Sequence, residues 1–295
     1  MCVTALFVLA FASAAAGSPV IVFPPAPNVC FRIPSLVQTP GGLLLAFTEA
    51  RWGPGTPPNG CNDDGGGHNL VLKRSADGGA TWGPLLTAVG NASNLAPGGT
   101  GFTNPSPLVV VRAGGAHRIL LHFATYNNPC ATQHGRTLQT WSDDDGLTWS
   151  VPEDITAQLR PELPGALPGP QRGVQRGDRL IFTAWGNNAT CPFNPDSRDG
   201  FSAFVYSSAD LGSTWAPLDA LAEGTNECAL GLRADDSLLV LCRSTGVIAG
   251  PILRTVYAPD LASRTALAPA PLVTPTCEGS LTVRGSALYF SNPSQ

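Results

Sequence analysis

The sequence predicts an all-β fold of the propeller kind, and three observations carry that prediction. The pattern S-x-D-x-G-x-T-W occurs at residues 75–82, 142–149 and 208–215, with starts 67 and 66 residues apart. A fixed period of that size is the length of one small antiparallel sheet with its loops, as in propellers and repeat arrays. The 33 Gly and 28 Pro suit many short strands joined by turns and leave little room for helix. Apolar runs of strand length, such as Leu43-Leu44-Leu45-Ala46-Phe47 and Leu238-Leu239-Val240-Leu241, recur between these turn residues. Each copy of the pattern reads as a tight turn: Asp binds the backbone that follows it, Gly supplies the positive φ of a reversing chain, and Trp packs alongside. Such turns lock strands within a blade and by themselves touch no substrate.

Composition narrows the function classes. The formal charge is −4 with no basic run, which argues against nucleic acid as a partner. The cysteine spacing contains no C-x-x-C and the four His are scattered, so no zinc site is expected. Residues 1–18 run from Met1-Cys2 through an apolar stretch to Ala14-Ala15-Ala16-Gly17 and read as a secretory signal peptide cleaved after Ala14 or Ala16, or as an uncleaved anchor. Residues 19–295 then form one propeller domain. No other stretch approaches the roughly 18 apolar residues of a membrane span. Two N-x-S/T triplets, at Asn91 and Asn188, fit the secretory route. Of the eight Cys, seven lie beyond the signal, enough for three disulfides with one left over, in a pairing that spacing alone leaves open.

Taken in order, the chain opens with two strands around the turn Thr39-Pro40-Gly41-Gly42, the first holding Phe31-Arg32-Ile33-Pro34 and the second followed by Glu49-Ala50-Arg51. An arginine inside an apolar strand is costly to bury unless it meets an anion, which singles out Arg32. Residues 52–67 form a Gly/Pro-rich loop with Asn62-Asp63-Asp64-Gly65, ahead of the strand Asn69-Leu70-Val71-Leu72-Lys73-Arg74 and the first turn motif. Asn104-Pro105-Ser106-Pro107 with Leu108-Val109-Val110-Val111, and then Ile119-Leu120-Leu121, supply the next blade. Gly173-Val174-Gln175 opens the third blade, and Arg172, Arg176 and Arg179 around Gly177-Asp178 read as a solvated hairpin. Asn226-Glu227-Cys228 and, sixteen residues after Glu227, Arg243 at a strand end form another hairpin, which brings both to one end of a blade. A degenerate turn falls near Ala258-Pro259-Asp260-Leu261, and Gly279-Ser280-Leu281 with Leu288-Tyr289-Phe290 are the last strands.

Together the turn motif, F-R-I-P, E-x-R and the N-E stretch spaced from a strand-end arginine resemble the sialidase (neuraminidase) family over nearly the whole chain after residue 18. The resemblance implies a six-bladed β-propeller, of which this sequence supplies the first four to five blades, and names the turns "Asp boxes". It implies that Arg32 and Arg243 grip a sialic acid carboxylate, that Arg51 lies at the rim near the sugar hydroxyls, that Asp64 (with Asp63 as competitor) is the acid/base, and that Glu227 activates a tyrosine nucleophile. No residue matches the family's third arginine, and none of Tyr126, Tyr206, Tyr257 or Tyr289 stands where the nucleophile belongs, so the sequence reads as truncated. The implied activity is an exo-α-sialidase that needs no metal or organic cofactor and acts on sialylated glycoproteins, oligosaccharides or gangliosides in the secretory pathway, lysosomal, extracellular or membrane-associated. The competing readings are a non-catalytic Asp-box propeller that binds glycans or proteins, and a transferase moving sialic acid to another sugar.

Overall fold

In a computed structural model the chain is described over residues 19–52, 67–90, 101–125, 135–160, 166–187, 201–244, 250–272 and 277–292. Among these residues there is no α-helix. Nineteen strands form four blades and a final hairpin. Blade I is β1 (Cys30–Gln38), β2 (Leu44–Trp52), β3 (Gly67–Ser75) and β4 (Leu86–Val89). Blade II is β5 (Phe102–Val111), β6 (His117–Thr125), β7 (Thr137–Ser142) and β8 (Glu153–Asp154). Blade III is β10 (Val174–Arg176), β11 (Arg179–Asn187), β12 (Phe201–Ser208) and β13 (Ala216–Glu223), with the short β9 (Leu167–Pro168) also paired to β11. Blade IV is β14 (Thr225–Leu232), β15 (Leu238–Ser244), β16 (Leu253–Tyr257) and β17 (Ala268–Pro269), and β18 (Ser280–Arg284) pairs with β19 (Ala287–Ser291). The repeat predicts a propeller, and these sheets match the incomplete one, of four to five blades, that the resemblance implies.

Each blade is a simple antiparallel meander, so the apolar faces that one sheet cannot cover alone must meet the next sheet. The cores accordingly lie between blades. Leu45, Phe47, Leu70 and Leu72 of blade I pack on Phe102, Ile119, Leu121 and Phe123 of blade II. Leu108, Val110 and Leu120 of blade II meet Leu180, Phe182, Phe204 and Tyr206 of blade III. Ile181, Ala203 and Val205 meet Leu230, Leu238, Val240 and Tyr257 of blade IV, and Leu239 and Leu241 meet Leu281 of the final hairpin.

The Asp boxes join the third strand of blades I, II and III to the outermost one, and their chemistry is the same in all three. In the first, Ser75 Oγ donates to Asp77 at 2.7 Å, the carboxylate accepts from Thr81 N and Thr81 Oγ1, and Gly79 N donates back to Ser75 Oγ. Asp144 with Thr148 and Asp210 with Thr214 repeat this in the second and third boxes. The Thr81 hydroxyl and amide hold the Asp77 carboxyl well below the usual carboxylate range, and Thr148 pulls Asp144 down to about 2. The fourth blade has the degenerate version: Leu261 at φ +64° and Asp260 accepting from Ala262 N close the turn without Gly or Trp.

Two departures from the sequence reading are physical. The outermost strands β8 and β17 are two residues long and polar or Pro-containing, so they exist only by pairing and leave no periodicity to read. Arg172 departs from the solvated-hairpin reading: it is half-buried, burial lowers its pKa, and it donates to Thr282 Oγ1 on β18 at 2.6 Å.

Candidate active site

In every blade the site end of the innermost strand is marked by a break in the ladder. In β1, Arg32 pairs with Glu49 and Ser35 with Phe47, so Ile33 and Pro34 face one residue, Thr48. In β5, Thr103 pairs with Ala124 and Ser106 with His122, leaving Asn104 and Pro105 opposite Phe123. In β14, Thr225 pairs with Ser244 and Cys228 with Cys242, so Asn226 and Glu227 oppose Arg243 alone. Each is a two-against-one bulge, which bends the strand and re-aims its side chains. Blade III opens wider, splitting into β9 and β10 at Gly169-Pro170. Ile33 (φ +55°), Asn104 (φ +58°) and Gly169 (φ +53°) are all left-handed and each precedes a Pro, a residue that fits a bulge because it has no ladder donor to lose.

The broken rungs are laced together from blade to blade. Glu49 of β2 is fully buried, and its Oε1 accepts from Thr103 Oγ1 and Asn104 N, both at 2.7 Å. Asn104 Nδ2 donates to Pro168 O at 3.0 Å. Pro170 bridges to Cys228, whose carbonyl accepts from Thr183 Oγ1 at 2.9 Å. Four blades are thus tied at one level, around the place where the charged residues gather.

Glu227 Oε2 meets Arg243 Nη1 at 2.5 Å, both side chains largely shielded. Glu278, just ahead of β18, lies among Arg32, Glu49, Glu227 and Arg243, and its Oε2 is shielded from solvent with no hydrogen-bond partner. Burial, and then the Glu227 and Glu49 carboxylates, push its carboxyl up to about 8, with Arg32 and Arg243 pulling the other way. At neutral pH Glu278 is therefore an uncharged acid beside two arginines. The arrangement offers positive charge to an anion, a carboxylate base held by an arginine, and a neutral proton donor. Arg51 is buried rather than open to solvent, its Nη2 2.6 Å from Glu49 Oε2.

The structure therefore brings Arg32, Glu227 and Arg243 to one place and sets Arg51 behind them on Glu49. Asp64 and its competitor Asp63 lie outside the described residues. Tyr206 and Tyr257 are buried between blades, Tyr206 on His122 and Tyr257 on Asp219, and neither faces the site. Sequence reasoning missed Asn104 and Glu278 as site residues. The only sequence signal for Glu278 was a lone acid between Cys277 and Gly279 before an apolar strand, and it is too common a pattern to act on. A depression lined by Arg112, Arg172, Gln175, Leu232 and Val283 lies at the other end of the inner strands and holds none of these groups.

No family model matches the chain. It is 30% identical over 197 residues to an exo-alpha-sialidase of Aspergillus fumigatus, covering 57% of this chain and 44% of that protein. It is 33% identical over 202 residues to a sialidase of Bacteroides fragilis, covering 64% and 35% respectively. Its fold matches Hadza microbial sialidase Hz136 with a TM-score of 0.69 at 26% identity, over 86% of this chain and 50% of the other. These curated relatives and the solved structure that the chain resembles are sialidases alike. The chain spans less than half the length of these curated relatives. At 14% identity and a TM-score of 0.63, the NanB sialidase of Streptococcus pneumoniae shares the fold. In this chain the three charged residues that the resemblance singled out on β1, β14 and β15 stand together at the bulged ends of the inner strands.

Proposed function

We propose that the chain carries the sialic-acid site of an exo-α-sialidase, releasing terminal sialic acid from glycoproteins, oligosaccharides or gangliosides with retention of configuration. The observation that supports this best is the meeting of Arg32, Arg243 and Glu227 about the shielded Glu278 carboxyl. A sialoside carries its own carboxylate beside the anomeric carbon, so two arginines with a neutral Glu278 suit it better than the usual pair of ionised carboxylates, an exception the family shares. In this reading Arg32 and Arg243 hold the substrate carboxylate, Glu227 takes the proton of a phenolic nucleophile, and Asp64 protonates the leaving oxygen. No residue of the sequence matches that phenol or a third arginine. The compartment proposed is the secretory pathway, which a Cys228–Cys242 disulfide and the lack of any free Cys among the described residues favour.

The ion pair with Arg243, which occupies the carboxylate assigned as base, favours one second reading, a propeller that binds sialylated glycans without cleaving them. Two measurements on the chain separate the two: calorimetric titration with a planar, unsaturated sialic acid analogue, and release of fluorophore from a sialoside. Binding with turnover supports the hydrolase, binding without turnover supports the binding module, and no binding rejects both.

A further inference from the structure

Resting on that proposed site, we propose that the Cys228–Cys242 disulfide is its positioning device, holding Glu227 against Arg243 by pinning the last regular rung beside the bulge that carries them. The bridge joins the residue after Glu227 to the residue before Arg243, and the two half-cystines face each other across β14 and β15. Both are buried. Cys228 is tied to blade III through Pro170 and Thr183, and Cys242 is paired to Leu253 of β16. The covalent link therefore connects two residues that are each anchored from outside the hairpin.

Comparison of the blades shows why a bridge belongs here. In blades I, II and III the broken rung is held by the backbone, through left-handed Ile33, Asn104 or Gly169 followed by Pro. Strand β14 contains no Pro and no residue of positive φ, so its bulge lacks that restraint. A two-residue bulge without one is free to shift its extra residue along the strand. Such a slip would carry Glu227 away from Arg243.

The hairpin itself does not need the bridge. Its far end is closed by Arg233 N donating to Ser237 O, by Asp236 N donating to Arg233 O and by Asp235 accepting from Ser237. Between turn and bridge, Leu230, Leu238 and Val240 pack into the core shared with blade III. Loss of the bridge should thus be felt at the open, site-facing end.

The test uses the full chain with Cys228→Val/Cys242→Ala, which keeps apolar volume in the buried gap, and Cys228→Ala/Cys242→Ala as a second variant. Amide exchange at residues 225–228 and 242–244 is expected to rise about tenfold or more, with residues 229–232 and 238–241 within about twofold of the parent. Affinity for the planar sialic acid analogue should fall about tenfold, since a small misplacement of a charged clamp is enough for that loss. Unchanged exchange at the bulge would overturn the proposal. So would acceleration spread evenly along the hairpin in both variants, which would assign the bridge to general stability. If the parent binds no analogue, the proposed function fails while the exchange profile still decides the role of the bridge.

Discussion

The Asp-box turns between the third and outermost strands and the bulges of the innermost strands are both repeated devices, and they differ in what holds them. A box is self-contained: Ser, Asp and Thr satisfy one another within eight residues, and every copy has the same hydrogen bonds. A bulge is completed only by its neighbours, as Glu49 of one blade accepts from Asn104 of the next and Asn104 donates to the one after. Self-contained turns tolerate drift around them and carry stability. Shared bulges fix side chains from several blades at one place, as a site requires.

Breaking the inner device should cost function with little stability, and this is the largest effect expected. Glu227→Gln keeps shape but cannot take a proton, so sialoside turnover of a competent preparation should fall by about 10² to 10⁴ while analogue binding persists. Arg32→Ala should weaken binding by well over tenfold, about 2–5 kcal/mol for a desolvated charge pair. Steady-state kinetics and calorimetry check the two, and thermal melts should move by only a few degrees.

The outer device should show the opposite balance, graded by the neighbouring blade. Trp215 is 5% exposed and packs on His122, Phe182 and Tyr206, whereas Trp82 is half-buried and donates only to Gly79 O. Trp215→Ala should cost about 3–5 kcal/mol in denaturant unfolding. Trp82→Ala should cost about 1 kcal/mol, because less apolar area returns to water.

A finer cut compares two glycines of the boxes. A Cβ on Gly146 (φ +83°) would sit 2.8 Å from Leu72 Cδ1 and 2.9 Å from Leu45 Cδ2 of blade I. Gly78 (φ +72°) has nothing within 4 Å. Gly146→Ala should therefore cost about 3 kcal/mol, from strain plus overpacking, and Gly78→Ala about 1 kcal/mol from backbone strain alone. Equal costs would mean that the second box does not wedge against blade I.

A pH dependence sets His122, packed on Trp215 of the third box, against Glu278 of the site. His122 is buried between blades, and loss of solvation lowers its pKa from 6.5 to about 3. The unfolded chain binds that proton more readily, so stability should fall as pH drops from about 6.5 towards 3. The raised carboxyl of Glu278 acts with the other sign: the folded state keeps a proton that the unfolded chain releases above about 4.5, so stability should fall as pH rises towards about 8. Melting temperature should be flattest from about pH 4.5 to 6.5, where the two limbs overlap and their slopes cancel. Glu278→Gln should remove the alkaline limb only, and persistence of that limb in the variant would reject the buried-acid assignment.

The sequence by itself determined the repeat, the all-β class and the local turn chemistry, because a box is made of residues eight apart or fewer and needs no partner. It also singled out Arg32, Glu227 and Arg243 through a family resemblance, and a hairpin is enough to bring the last two together. It could not show that Ile33, Asn104 and Gly169 adopt one left-handed conformation, that Arg51 turns inward onto Glu49, or that Glu278 joins the site. Most of those facts rest on contacts between blades, such as Glu49 with Asn104, and even the local Arg51–Glu49 pair is set by a carboxylate whose other oxygen is held by Thr103 and Asn104 of the next blade. Only the tertiary structure decides them, because a buried charge takes its conformation and its protonation from whichever distant groups the packing places beside it.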